Sequence, residues 1–503
     1  VNPEIEPGRL RARRIGVHTQ DEAVVFMRID CHVCRSEGLS PRSRVLLTCG
    51  DRSTIATLYQ VSGDWLPPDE AGLSEAAWLH LGVSEEDLLS VSHPEPVSSL
   101  SKVRSRIYGI RLDKEALHLV ISDILRGLYS DVQVSAFLTA CATLPLDDAE
   151  TVALTRAMVD VGERLTWRSP LVVDKHCVGG LPGNRTTPIV VAIAASLGLT
   201  MPKTSSRAIT SPAGTADTME TMAPVDLDIA AIRRVVEREG GCVVWGGSVR
   251  LSPADDILIR IERALDLDSE GQLVASVLSK KIAAGATHLV LDIPVGPTAK
   301  VRSPEAAQIL ARRLERVATL FGVSTRVVFS DGAQPVGRGI GPALEAHDVL
   351  AVLRGSKDAP ADLRDRSCSI AGALLELSGQ AAAGTGSSMA MGCLSDGRAL
   401  RKFLAICEAQ GGFSEPGAAE LRQGIVAGRS GTVRAIDNRQ IAKVAKLAGA
   451  PEAKCAGVFL QVRLGDLVQT GQPLFTVYAE SAGELEYALD YARGHAGMIG
   501  IES

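Results

Sequence analysis

The densest group of polar residues with a chemical use is Asp174-Lys-His-Cys-Val-Gly-Gly-Leu-Pro-Gly-Asn-Arg-Thr-Thr187. Its glycines let backbone N–H groups come close to an oxyanion, Lys175 and Arg185 supply positive charge, and a helix expected to begin near Thr187 offers its positive end. Together these properties make a phosphate cradle. The same residues also suit an ordinary glycine-rich strand-to-helix turn with His176 as a hydrogen-bonded core histidine, and the spacing alone leaves both readings open.

Three further stretches could join that site. Lys203-Thr-Ser-Ser-Arg-Ala-Ile-Thr-Ser-Pro-Ala-Gly-Thr-Ala-Asp217 gathers hydroxyls, two cations and a glycine on another strand-to-helix connection. Hydroxyls and N–H groups hold phosphate or ribose without a large desolvation cost, and Arg207 can grip phosphate oxygens through two hydrogen bonds; a solvated loop is the plain alternative. In the segment 266–281, Ser276 and Lys280 are four apart and share a helix face, so they can address one ligand together. Asp268 precedes that helix, where a carboxyl could protonate a departing base if burial raised its pKa. Ser269 with Gln272 also fits a capping box, which would leave Asp268 a flanking first-turn acid. Lys300 ends the loop after an expected strand at 288–293 and is a fourth candidate. Gly337-Arg-Gly-Ile-Gly341 only half resembles a dinucleotide fingerprint, because Pro342 follows where the pattern fails, and a Rossmann reading is rejected.

The elements that must hold these loops are legible in part. Residues 1–95 alternate short apolar runs with turn signals, at 14–18, 22–27, 44–48 and 53–58, and predict a β-rich N-terminal module. A polar, proline-containing stretch at 92–101 reads as a linker. From Asp113 the apolar period becomes helical, predicting a helical subdomain over 100–168, joined by a helix near 270–285. Strands expected at 171–174, 242–245, 288–293 and 325–330 alternate with helices at 187–197, 228–238, 304–321 and 341–353. That alternation predicts an α/β domain with a largely parallel central sheet over 169–425, whose ligands sit beyond the carboxyl ends of the strands. Residues 426–503 turn β-rich again, with strands expected at 431–436, 457–462 and 465–478.

Composition bounds the function. The 503 residues carry a formal net charge of −6, 46% hydrophobic and 22% charged side chains, which excludes a small disulfide scaffold, a disordered tail and a fibre. The acidic balance argues against a protein whose main task is gripping nucleic acid. No apolar run approaches a membrane span and no signal-peptide pattern opens the chain, so a cytoplasmic location is expected. The ten cysteines read as reduced thiols; Cys31-His-Val-Cys34 has ligand-like spacing but lacks a second half, so no metal site is expected.

Taken in order, the motifs resemble the thymidine/pyrimidine nucleoside phosphorylases over about residues 100–500. The resemblance rests on Asp131-Val-Gln-Val-Ser-Ala-Phe137, Leu154-Thr-Arg-Ala-Met158, Asp174-Lys-His176, Arg207 with Gly214-Thr-Ala-Asp217, Ala275-Ser-Val-Leu-Ser-Lys-Lys281 and Gly465-Asp-Leu-Val-Gln-Thr-Gly-Gln-Pro-Leu474. Within the family, Gly183-Asn-Arg-Thr-Thr187, the run Lys203–Thr215 and the N-terminal module look most like the AMP phosphorylases. That branch implies phosphorolysis of a nucleoside 5′-monophosphate to free base and ribose 1,5-bisphosphate; the alternative is a pyrimidine nucleoside phosphorylase giving base and (deoxy)ribose 1-phosphate. Carried over, the resemblance implies nucleotide contacts from Gly180, Ser206, Arg207, Ala208, Ile209, Thr210, Ser211, Thr215, Ser276 and Lys300, with Lys280 beside them. It implies phosphate contacts from Lys175, Gly179 and Thr215, and catalysis by Asp268 as proton donor with His176. Inorganic phosphate is then a co-substrate, no metal or organic cofactor is needed, and the minimum assembly is a homodimer. Two departures stand out: Cys177 replaces the usual Ser, and the Arg that grips the pyrimidine in thymidine phosphorylases has no counterpart in register, Arg263 lying only near its place.

Overall fold

The structure, a computed structural model, describes residues 8–208, 211–267 and 269–502. The chain divides into two compact units, Val1–Ala140 and Cys141–Ser503.

The first unit opens with six strands, β1 (Arg9–Arg14), β2 (Val24–Arg28), β3 (Arg44–Cys49), β4 (Arg52–Val61), β5 (Glu70–Leu73) and β6 (Leu88–Ser92). They close into a barrel in the order β1-β5-β2-β4-β3-β6, with β1–β5 and β2–β4 parallel and the other pairs antiparallel. Closure leaves no strand edge unpaired. Leu10 and Ala12 point inward from β1 and pack with Met27, Leu47, Leu58, Leu73 and Leu89. The first strand therefore lies at 9–14 rather than at the expected 14–18. Its outward face is all arginine, and the strand is held by pairing with acids instead of by apolar alternation: Arg11 meets Asp69, Arg13 meets Glu70 at 3.1 Å and Arg14 meets Glu75 at 2.9 Å. Cys31 caps the short helix His32–Ser36, its Sγ accepting from the Cys34 N–H at 3.1 Å. Helices Leu100–Ile107 and Lys114–Leu125 follow, and between them Ser99, Asp123 and Tyr129 form a buried hydrogen-bonded group.

In the second unit, helix Asp148–Asp160 starts with a full capping box between Asp147 and Glu150 and packs along helix Glu270–Ala283. Five parallel strands build the sheet: β7 (Val173–Cys177), β8 (Met201–Ser205), β9 (Gly241–Trp245), β10 (His288–Val295) and β11 (Ser324–Asp331). β7, β10 and β11 pair in the order β11-β10-β7, β8 pairs with β9, and a parallel bridge from Val172 to Thr200 joins the two groups. Helix Thr186–Ser196 is buried on every side, which its alanine and β-branched composition permits, and Pro188 sits in the first turn where no intrahelical N–H is needed. The expectation for β7 is corrected at its end: the strand runs on through Lys175, His176 and Cys177, because pairing with β10 continues as far as Cys177 opposite Asp292. These residues therefore stand on a strand rather than in a flexible turn. Beyond it, antiparallel strands and helices Asn438–Leu447 and Ala482–Gly494 form the β-rich C-terminal part. The long strand expected at 465–478 is broken at a turn into Leu467–Val468 and Pro473–Ala479.

No helix among the described residues is long and apolar enough to cross a membrane, and no group of three or more His, Cys, Asp or Glu among them could hold a metal ion.

Candidate active site

The polar groups gather at the carboxyl ends of β7, β8 and β10. Asp174 is buried at the centre. Its carboxylate takes Lys203 Nζ at 2.9 Å on one oxygen and Lys281 Nζ at 2.9 Å on the other, and it also receives the Lys175 N–H at 2.6 Å. Burial works against this charge, but the two lysines hold the carboxyl below its usual range. Lys281 bears the corresponding penalty: burial, aided by Lys203, pulls its pKa down to about 7 despite the lift from Asp174. Lys203 Nζ donates a further bond to the Lys175 carbonyl at 2.9 Å, so the backbone on both sides of the Lys175 nitrogen is fixed.

Lys175 is 3% exposed and donates to Thr186 Oγ1 at 2.8 Å, in the first turn of helix Thr186–Ser196. No carboxylate stands within ion-pair distance of it among the described residues, and burial lowers its pKa. His176 makes no hydrogen bond among the described residues, contrary to the core-histidine alternative. Burial and four lysines, first Lys281 and Lys203, push its pKa well below the usual value, so the ring is neutral at physiological pH. Cys177 keeps its proton, its pKa raised by burial and then by Asp292.

The loop geometry depends on two glycines. Gly179 has φ +105°, and a Cβ there would stand 2.9 Å from the Lys300 Cβ, so the loop and Lys300 are brought into contact by the missing side chain. At Gly214 a Cβ would come within 2.6 Å of backbone atoms of Ser206, Arg207 and Ala208, which folds the 206–214 loop back on itself. Asp217 clamps that fold by accepting the Ala208 N–H at 2.6 Å and the Gly214 N–H at 2.8 Å. Asp217→Ala is expected to cost about 1–2 kcal/mol, the range of a lost helix cap, read as a lower urea midpoint at unchanged slope.

Several expected ligand-binding cations are already engaged. Arg185 bonds Glu345 at 2.5 Å, Thr215 Oγ1 at 2.8 Å and the Ala213 carbonyl at 2.9 Å, so it ties the two loops together. Arg207 forks onto Glu220 at 2.6 and 2.8 Å, lies 3.3 Å from Asp217 and stacks on Trp245. Ser276 and Lys280 do address one group together, as their spacing predicts, but it is the buried carboxylate of Asp255, at 3.0 and 2.5 Å. Ser206 and Lys300 are exposed, Gly180 is exposed beside them, and Ser211 donates to the Ala213 carbonyl. Asp268, Ile209 and Thr210 lie outside the described residues. Ser269 stands at the N-cap of helix Glu270–Ala283 without a side-chain cap bond, so the expected capping box is not formed. Asp255, Glu345 and Asp292 escaped the sequence reading, while Thr186 and Lys281 lay inside the motifs at 174–187 and 275–281 without a role of their own.

Comparison with known proteins adds three family models along the chain. Residues 98–162 match the glycosyl transferase family helical bundle domain, 169–400 its a/b domain, and 432–497 the pyrimidine nucleoside phosphorylase C-terminal domain. A "Putative thymidine phosphorylase" of Polaromonas sp. (strain JS666 / ATCC BAA-500) is 62% identical over 497 residues, spanning 99% of this chain and 97% of its own. Relatives of the same name from Chelativorans sp. (strain BNC1) and Legionella pneumophila are 61% and 57% identical, spanning 99% and 98% of this chain and 98% and 95% of theirs. Among solved structures, anthranilate phosphoribosyltransferase from Thermus thermophilus superposes with a TM-score of 0.50 at 22% identity, over 61% of this chain and 98% of that one. The Saccharomyces cerevisiae enzyme of that name, in complex with PRPP and Mg, gives 0.51 at 16% identity over 62% and 98%. At such identity these two share the fold.

Proposed function

Because the chain belongs to the thymidine/pyrimidine nucleoside phosphorylase family, we propose that it cleaves a pyrimidine nucleoside, thymidine foremost, with inorganic phosphate, giving free base and (deoxy)ribose 1-phosphate. The family makes it a pentosyl-transferring glycosyltransferase; the nucleoside substrate is our reading. One observation carries it. Of the cations around the loops, Lys203, Lys281, Arg185, Arg207 and Lys280 each form an ion pair with a carboxylate, and among the described residues Lys175 alone of these six forms none. A single uncommitted cation among them suits one anion, the attacking phosphate, better than two.

In this reading a phosphate oxygen, held by Lys175 and the loop donors, bonds to the anomeric carbon as the bond to the base nitrogen breaks. The electron pair of that bond leaves with the base. Lys175 acts in a dry setting, where a charge is worth far more to a transition state than in water. The neutral ring of His176 donates an N–H hydrogen bond to the departing base, and Asp268 is the proposed proton donor.

A second reading, cleavage of a nucleoside 5′-monophosphate to ribose 1,5-bisphosphate, is favoured by the exposed Ser206 on the loop folded back at Gly214, which offers a hydroxyl to a second anion. Incubating the protein with thymidine, uridine, AMP, CMP or UMP, with and without phosphate, separates the two. Release of thymine that requires phosphate, with inert nucleotides, is the expected result. Phosphate-dependent cleavage of the nucleotides with inert thymidine would replace it by the second reading.

A further inference from the structure

Asn184 sits in the turn before helix Thr186–Ser196 and is 8% exposed. The turn is rigid: a Cβ on Gly183, at φ +71°, would strike the Val336 carbonyl, and the Val336 N–H donates to the Pro182 carbonyl at 3.0 Å. The Asn184 side chain is thereby fixed, yet it is poorly used. Among the described residues Nδ2 meets only the Cys177 sulfur, at 3.0 Å, and Oδ1 is buried without a partner. A thiol is a weak acceptor, and a buried carbonyl oxygen without a donor is costly. Turning the amide by half a rotation keeps its shape, lets the Cys177 S–H exchange its long bond to the Gly179 carbonyl, at 3.8 Å, for one to Oδ1, and presents the N–H groups where Oδ1 stood.

Other unsatisfied groups stand on the two strands that flank Cys177. Among the described residues Ser205 Oγ, at the carboxyl end of the neighbouring β8, is buried without a partner, and so is Asp292 Oδ2, whose residue stands opposite Cys177 in the β7–β10 pairing. Lys175, the uncommitted cation, precedes Cys177 by two residues, and its charge acts on that thiol. Two neutral donors, one cation and one carboxylate oxygen match a tetrahedral oxyanion that still carries a proton: the donors take its bare oxygens and Asp292 accepts from its hydroxyl.

We propose that Asn184 is a ligand of inorganic phosphate, its side-chain amide donating to a phosphate oxygen beside Lys175. The inference rests on the phosphorylase reading above and adds a phosphate contact that position 177, being a thiol, supplies poorly. Calorimetric titration of the full-length protein with inorganic phosphate, without nucleoside, tests it, followed by steady-state kinetics with thymidine. Asn184→Ala is expected to raise the phosphate Kd about tenfold, the worth of one hydrogen bond to a charged group, and the thymidine KM less than about twofold. Asn184→Asp, which keeps the shape and adds a negative charge, is expected to weaken phosphate further. A phosphate Kd unchanged in either variant overturns the inference, as does an equal rise for phosphate and thymidine. If Asn184→Ala does not fold, the Asp variant decides by the same titration. The two levels separate cleanly: wild-type protein that binds phosphate but cleaves no nucleoside sinks the phosphorylase reading and leaves the Asn184 titration standing, whereas an active wild type with an insensitive Asn184→Ala sinks the ligand alone.

Discussion

Lys175→Met is expected to lower phosphate-dependent turnover by about 10²–10³-fold, the cost of removing one preorganised donor to developing charge, and to raise the melting temperature at the same time. The two effects share one cause. The ammonium is buried, its only hydrogen-bond acceptor among the described residues is the neutral hydroxyl of Thr186, and its pKa is depressed by that burial. An isolated buried charge is destabilising, so replacing it with an apolar chain of similar length relieves the folded state. It also removes the one cation of the six that forms no ion pair with a carboxylate among the described residues. Steady-state kinetics and a thermal melt read the two effects, and phosphate titration reads the loss of the cation. A variant that turns over within about fivefold of wild type would show that the attacking anion is held elsewhere. One that loses both activity and stability would mean that Lys175 supports the fold and is not held in reserve for a ligand.

What was legible in the sequence follows from the range of the interactions involved. Helical periodicity correctly put Ser276 and Lys280 on one face, because a four-residue spacing is local. It could not name their partner, Asp255, which arrives from the preceding helix Pro253–Leu265. Glycines at 179 and 214 marked the loops, since positive φ and close backbone approach are recorded in residue type. The acids that consume the positive charge were invisible: Glu345 reaches Arg185 across 160 positions and Asp174 reaches Lys203 across 29. Residue type marks Lys175, Arg185, Arg207 and Lys280 alike as candidate cations, whereas pairing leaves Lys175 as the one without an ion pair among the described residues. The barrel shows the same limit in reverse, for β1 presents four arginines and would fail any hydrophobic count, yet the inward Leu10 and Ala12 and the outward ion pairs make it a strand.

Asp174→Asn should produce the largest loss of stability, about 3–5 kcal/mol, because it breaks a buried ion pair and strands its partners. Two buried ammonium groups, Lys203 and Lys281, now share this carboxylate, and the amide that replaces it can offer an acceptor to one of them only. The deficit has a defined pH dependence. In the wild type the pKa of folded Lys281 is about 7, below its ordinary value near 10.5, so between these limits the unfolded chain binds more protons and stability rises with pH. Removing Asp174 takes away the group that lifts Lys281, so the folded variant gives up this proton at lower pH than wild type. The difference in stability between the two proteins must then shrink as pH rises toward about 7 and level off above it, as the variant escapes part of its penalty by carrying one lysine neutral. Urea midpoints measured on both sides of that value test it, and a deficit constant with pH would mean that Lys281 stays charged and that Asp174 acts through its bond to the Lys175 N–H alone. The same variant is expected to loosen the strand that carries Lys175 and His176, since Lys203 bonds both Asp174 and the Lys175 carbonyl. Activity is therefore expected to fall more steeply than stability, and to recover less than stability does as pH rises toward about 7, because a neutral lysine relieves the burial penalty without rebuilding the bonds that aim the loop.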